Sequence, residues 1–137
     1  MKISTKGRYG LRLMVDLAVH YEQGLVPLKE IAVRQEISEK YLEQIMMQLN
    51  RSGLVRSVRG AQGGYCLAQP PESITVGAVL RVMEGSLAPV DCDRMDRCVT
   101  VTVWQKLKEA VEGVVDAITL RDLANDYYRK NPPDYCI

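Results

Sequence analysis

The segment from Ser38 to Gly64 constrains this chain more than any other. In SEKYLEQIMMQLNRSGL the apolar residues Leu42, Ile45, Met46 and Leu49 recur at the spacing of one helical stripe, while Lys40, Gln44, Met47 and Arg51 fall on the opposite side with Glu43 beside them. Such a helix buries one face and offers hydrogen-bonding tips on the other. Ser38 stands at the N-cap position, where a hydroxyl satisfies an otherwise unpaired backbone N–H. Upstream, Pro27 to Gln35 reads as a second short helix, begun on a proline whose missing N–H costs nothing there and burying Leu28, Ile31 and Ala32. A tight turn at Glu36–Ile37 separates the two, which makes a helix-turn-helix unit.

Directly after this unit come two short alternating runs, Leu54-Val-Arg-Ser-Val-Arg59 and Tyr65-Cys-Leu-Ala68, joined by Gly60-Ala-Gln-Gly-Gly64, whose glycines suit positive φ. They predict a β-hairpin with Arg56 and Arg59 at or near its tip. An arginine on a hairpin is ordinarily just solvated. Beside a helix of this kind, however, it can enter a narrow minor groove of duplex DNA while the helix reads base edges in the major groove. The expected fold class is mainly α with a small β-hairpin wing: a winged helix-turn-helix followed by a long C-terminal dimerisation helix.

Net charge, at +1 over 137 residues, argues against nucleic acid until the chain is divided. Residues 1–65 hold ten Lys or Arg against six Asp or Glu, a local excess of +4, and the remainder carries −3. Basic charge is thus concentrated where the reading motif lies, which suits phosphate neutralisation. With 47% hydrophobic residues the chain can build a core without disulfides, so Cys66, Cys92, Cys98 and Cys136 read as thiols or ligands. The start has no apolar run of signal-peptide length and nothing approaches a membrane span, so a cytoplasmic address without membrane association is expected.

The flanking segments read as helices. Leu11, Met14, Val15 and Ala18 mark a first helix from Thr5 to Tyr21, ended by Gly24, with His20 as a structural histidine. Thr75 caps a helix that buries Val76, Val79, Leu80 and Met83 and stops at Gly85. Ser86 to Asp96 reads as an exposed loop. Beyond it Trp104, Leu107, Val111, Val114 and Ile118 alternate steps of three and four, a coiled-coil-like seam that wants a partner, and a symmetric dimer would set two reading helices about one DNA turn apart on a near-palindromic site. Val99-Thr-Val-Thr-Val103 alternates strictly and has strand propensity, so this helix could begin late. Thr119, three residues before Asp122, caps a last short helix through Asp126. The organisation expected is a DNA-binding unit over 1–68, a linking helix over 69–85, a cysteine-containing sensor loop over 86–98, and a dimerisation helix with tail over 99–137.

In order and spacing, MKISTKGRYGL, ISEKYLEQ, GLVRSVRGAQGGYCLA, ITVGAVLRVMEG and the later WQKLKEAV and ITLRDL closely resemble the bacterial winged-helix regulators that include the iron-sulfur regulator IscR, the nitric-oxide sensor NsrR and the cysteine-metabolism repressor CymR. The resemblance spans nearly the whole chain. It implies a homodimeric transcription factor, usually a repressor, in which Ser38, Tyr41, Glu43 and Gln44 meet base edges and Arg59 enters the minor groove. Lys2, Thr5 and Arg51 then serve the DNA backbone.

The sensor loop departs from the family pattern. Cluster-binding members carry three cysteines there, with a histidine or an acidic residue of the partner's first helix as fourth ligand. This chain has Cys92 and Cys98 alone, Val101 where the histidine would stand, and Arg8 and Arg12 on the first helix, which cannot bind iron. Three readings stay open. The pair could hold an iron-sulfur cluster, such as [2Fe–2S], with Asp91, Asp93 or Asp96 or with the partner subunit. It could act as a thiol switch, with Arg94 and Arg97 favouring thiolate. Or the signal could arrive through a partner protein such as a metabolic enzyme. An enzyme is not expected: one histidine, no phosphate loop and a cysteine pair spaced unlike Cys-x-x-Cys leave no catalytic constellation. A winged helix serving only protein contacts is the other alternative.

Overall fold

A computed structural model of the chain describes residues 2–90 and 99–132. Among them the order is α1 (Thr5–Val19), α2 (Leu28–Gln35), α3 (Glu39–Arg51), β1 (Val55–Val58), β2 (Gly64–Leu67), α4 (Val76–Glu84), α5 (Val101–Val115) and α6 (Leu120–Lys130). The fold class is the expected one, mainly helical with a two-stranded antiparallel wing.

Four helices start on hydroxyl caps. Ser4, Ser38, Thr75 and Thr119 accept from the backbone N–H of Gly7, Tyr41, Ala78 and Asp122, and the Asp122 carboxylate in turn accepts from the Thr119 N–H, closing a capping box. Pro27 differs from expectation: it is the N-cap of α2, with extended ψ of 140°, rather than its first helical residue. The turn between α2 and α3 is carried by Glu36 in the left-handed region at φ 55°, and the Ile37 N–H donates back to the Ala32 carbonyl at 3.1 Å. Ile37 is buried there, fixing the angle at which α3 leaves. The first helix ends earlier than Tyr21: His20 caps it, and a 3₁₀ turn over Tyr21–Gln23 precedes Gly24.

One core holds Leu13, Met14 and Leu17 of α1, Ile31 of α2, Leu42, Ile45, Met46 and Leu49 of α3, Val55 and Leu67 of the wing, and Ile74, Val79 and Met83 around α4. Leu120 and Ala124 of α6 complete it, both wholly buried. The expected link over 69–85 and the expected C-terminal unit therefore share the core of the DNA-binding unit. Helix α4 approaches α1 closely because Gly10 leaves room for the Met83 side chain, which an added Cβ would meet at 2.7 Å.

A second cluster of Val76, Leu80 and Leu87 is packed by Ile3, Leu11, Val111, Val115, Ile118 and Leu123. Leu87 is 6% exposed, so the loop expected to be exposed from Ser86 begins with a buried anchor; its residues 91–96 lie outside the described residues. The alternating Val99–Val103 stretch is not a strand: α5 begins at Val101, and the helix-forming residues that follow outweigh a weak local preference. Helix α5 stops at Val115, which leaves Ile118 outside it, its carbonyl accepting from the Val76 N–H at 2.9 Å. Helix α6 runs four residues past the expected Asp126, and the Tyr128 hydroxyl donates to the Val19 carbonyl at the end of α1.

Candidate nucleic-acid interface

Helix α3 separates its faces as the spacing predicts. Leu42, Ile45, Met46 and Leu49 are wholly buried, whereas Lys40, Glu43, Gln44, Met47, Asn50 and Arg51 are exposed. Lys40, Gln44 and Arg51 make no hydrogen bond or ion pair among the described residues, so their polar tips remain available. Ser38 and Tyr41 are differently placed. The Ser38 oxygen is occupied as the cap, and Tyr41 is half-buried, edge-on to Tyr9 with ring centroids 5.9 Å apart.

The wing leaves the end of α3 with a fixed register, Val55 opposite Leu67 and Val58 opposite Gly64. Asn50 Nδ2 donates to Ser57 Oγ at 3.2 Å and ties β1 to the helix. Tyr65 exchanges two backbone hydrogen bonds of 2.8 Å with Val26, which adds a short third partner to the hairpin. Burial, and secondarily the Glu43 carboxylate, push the Tyr65 hydroxyl up from its ordinary pKa. Arg59 is exposed and starts the tip. Arg56 is not at the tip: it faces Cys66 in mid-strand, its guanidinium 3.8 Å from the half-buried sulfur. Only Gly60 of the tip glycines has positive φ, 115°; Gly63 and Gly64 are small because backbone passes against them.

Lys2 and Thr5 are exposed at the start of α1, and Thr5 Oγ1 accepts from Arg8 at 3.3 Å. The Glu84 carboxylate accepts from the Ser4 N–H and hydroxyl, which pins this end of the helix to α4.

A latch that the sequence reading missed sets the angle of the reading unit. Asp16, 4% exposed, accepts from Arg34 Nη2 at 2.7 Å, from Arg34 Nε at 3.1 Å and from Gln35 Nε2 at 2.9 Å. The hydrogen bond to Asp16 raises the Arg34 pKa, and His20 Nδ1 lies 2.8 Å from the Asp16 carbonyl, a structural role as expected. Arg12 adds two hydrogen bonds to Gln35, through its side-chain oxygen and its carbonyl, and stacks over Tyr9 at 5.1 Å. The end of α2 is thereby held to α1. The signal available in sequence was an acid set in the otherwise apolar run Leu13-Met-Val-Asp-Leu-Ala.

The expected dimer seam divides into two stripes. Val111 and Ile118 pack within the chain and Trp104 is half-buried, while Leu107 and Val114 are 43% and 60% exposed. With Val103 and Ala110, also exposed, these last two form an outward row along α5. The helix can pack on α4 and still offer this row because Arg81 bridges Glu112 at 2.9 Å and Asp116 at 2.7 Å, across a space that Gly77 leaves open. The Arg81 hydrogen bond holds the Asp116 carboxyl below its ordinary range.

Cys92, Cys98 and Cys136 lie outside the described residues. Among the described residues no three His, Cys, Asp or Glu stand close enough to hold a metal ion, and no helix is long and apolar enough to cross a membrane. Arg8 and Arg12 line a groove of about 690 Å³ between α1 and α6 that supplies no metal ligand set.

A family model described as Rrf2, iron-dependent transcriptional regulator, matches residues 3–126. The transcriptional regulator CymR of Bacillus subtilis is 46% identical over 125 residues, 91% of either chain. The solved structure of T. potens IscR superposes with a TM-score of 0.82 at 49% identity, covering 98% of this chain and 93% of that one. An oxidized form of Staphylococcus aureus CymR superposes with a TM-score of 0.76 at 44% identity, covering 90% and 96%.

Proposed function

The chain belongs to the Rrf2 family of DNA-binding transcriptional regulators, and from that premise we propose that it represses transcription in the cytoplasm as a homodimer on a near-palindromic operator. The observation that carries this reading is the exposed polar face of α3 lying beside a wing tipped by Arg59. Lys40, Glu43 and Gln44 face the major groove, with Ser38 and Tyr41 at its edge, and Arg59 reaches the minor groove. Lys2, Thr5 and Arg51 neutralise or hydrogen-bond phosphates and so position rather than specify. The Leu107 and Val114 row pairs the two chains. A salt titration of duplex binding tests the reading: phosphate contacts give a steep fall in affinity with salt, and Arg59→Ala costs about 1–3 kcal/mol on a selected operator. A flat salt response would instead favour a winged helix used only for protein contacts.

The sensor is Cys92 with Cys98, and the regulator responds through them to iron-sulfur, redox or cysteine status. Two thiolates per chain fall short of the four ligands a cluster takes, so a [2Fe–2S] group would need an oxygen ligand such as Asp91, Asp93 or Asp96 or a share of the partner's loop. A relative solved in an oxidized form favours thiol chemistry as the second reading. Anaerobic purification with visible absorption and iron and sulfide analysis separates them. Stoichiometric iron supports the cluster; an iron-free dimer that binds DNA supports the thiol switch or control by a metabolic-enzyme partner.

A further inference from the structure

Met46 and Met47 are neighbours in sequence and opposites in environment. Met46 is wholly buried, and Met47 is 49% exposed and belongs to neither hydrophobic cluster. Its surroundings on α3 are polar: Lys40, Glu43, Gln44, Asn50 and Arg51 are all exposed on that side of the helix. An isolated exposed apolar side chain is ordinary on a protein surface. On a face that meets the major groove it has one apolar counterpart, because every base edge there presents hydrogen-bond donors and acceptors except for the 5-methyl group of thymine. An unbranched, polarisable thioether adapts its shape to such a small target. We propose that Met47 is a specificity residue of α3, packing on the methyl group of a thymine in each half-site.

The inference rests on the placement of α3 in the major groove proposed above. Its position along the helix gives it an address. Met47 lies one turn beyond Gln44, roughly 4.5 Å along the axis, and successive bases on a strand are about 3.4 Å apart. The thymine therefore stands one or two base pairs from the pair that Gln44 faces. Packing on the methyl group discriminates against cytosine, which lacks it, with no hydrogen bond from Met47.

The test uses the full-length dimer and an operator selected from random duplexes. The pair facing Gln44 is located by the change of consensus in Gln44→Ala. Each thymine is then replaced by deoxyuridine, which removes the methyl group and nothing else, and affinities of the wild type and Met47→Ser are measured by fluorescence anisotropy. One replacement per half-site, at the stated distance, should weaken the wild type about four-fold, the worth of one buried methyl-sized group, and leave Met47→Ser unaffected. Equal thermal melts of the two proteins establish that the variant is folded. Equal losses in both proteins at every position, no loss at any position, or an operator without thymine at that distance would each overturn the role of Met47. Failure of the wild type to select any duplex would overturn the DNA placement of α3 itself, a separate outcome.

Discussion

Replacing Gly64 by alanine asks whether the wing is held by the absence of a side chain. A Cβ at this position would lie 2.5 Å from the Val26 carbonyl oxygen, 2.6 Å from its carbon and 3.0 Å from the Pro27 nitrogen, all backbone at the entrance to α2. No flexible side chain can yield, so β2 and Val26 must separate. The two hydrogen bonds between Val26 and Tyr65 are then lengthened or lost, at about 1 kcal/mol each, and residual overpacking adds about 1 kcal/mol or more. Against this, alanine restricts the unfolded chain, and Gly64 does not use positive φ, so about 0.4–1 kcal/mol is returned. The net expectation is a loss of about 2 kcal/mol in urea unfolding, compared at one protein concentration because the protein is expected to dimerise. Operator affinity should fall as well, since Arg59 is carried on the same hairpin. A variant within about 0.5 kcal/mol of the wild type and equally tight on DNA would show that the approach of Val26 to β2 does not hold the wing.

Three further perturbations address other parts of the molecule. Asp16→Asn should cost about 2 kcal/mol in chemical unfolding, less than a fully buried pair because Arg34 remains one-third exposed and can be rehydrated; its operator affinity should also drop, because α2 loses its hold on α1. Leu107→Asp with Val114→Asp should sediment as a folded monomer that binds DNA weakly, whereas Val111→Asp should damage the fold itself, since Val111 packs against Val76 and Leu80. Arg81 holds the Asp116 carboxyl below its ordinary value of 3.8, so that pair stabilises the fold above this pH and the contribution is lost as pH falls through the lower, folded value. The difference in Tm between the wild type and Arg81→Gln should accordingly be constant near neutrality and narrow on acidification below pH 3.8.

Helix α3 was legible because burial alone sets its apolar stripe and Ser38 marks its start; pattern and packing agree at Leu42, Ile45, Met46 and Leu49. The seam of α5 was harder, since a helix covered on one side by its own chain and open on the other carries two apolar stripes, and spacing does not say which is which. Val111 and Leu107 look alike in sequence and are separated only by the position of α4. The spacing suggests positive φ for the wing glycines, but Gly63 is crowded by the Val58 and Arg59 backbone across the hairpin turn and Gly64 by Val26, far away in the chain, and neither approach shows in the local pattern. Asp16 escaped notice for the same cause: its partners Arg34 and Gln35 are distant in sequence and converge only when α2 docks.

Leu120 and Ala124 lie wholly inside the core that also holds α1 and α3. During synthesis, at roughly 5–20 residues per second, α3 and the wing are completed before the two residues that finish packing behind them. A ribosome-bound chain that has extruded only α1 to α4 presents an open apolar face where α6 belongs. The core around α1 and α3 is therefore complete only once α6 has packed, which makes α6 part of the unit that folds around the wing. Helix α5, with its Val103-to-Val114 row, lies between α4 and α6 in sequence, so any shortened chain that keeps this core closed keeps that row as well.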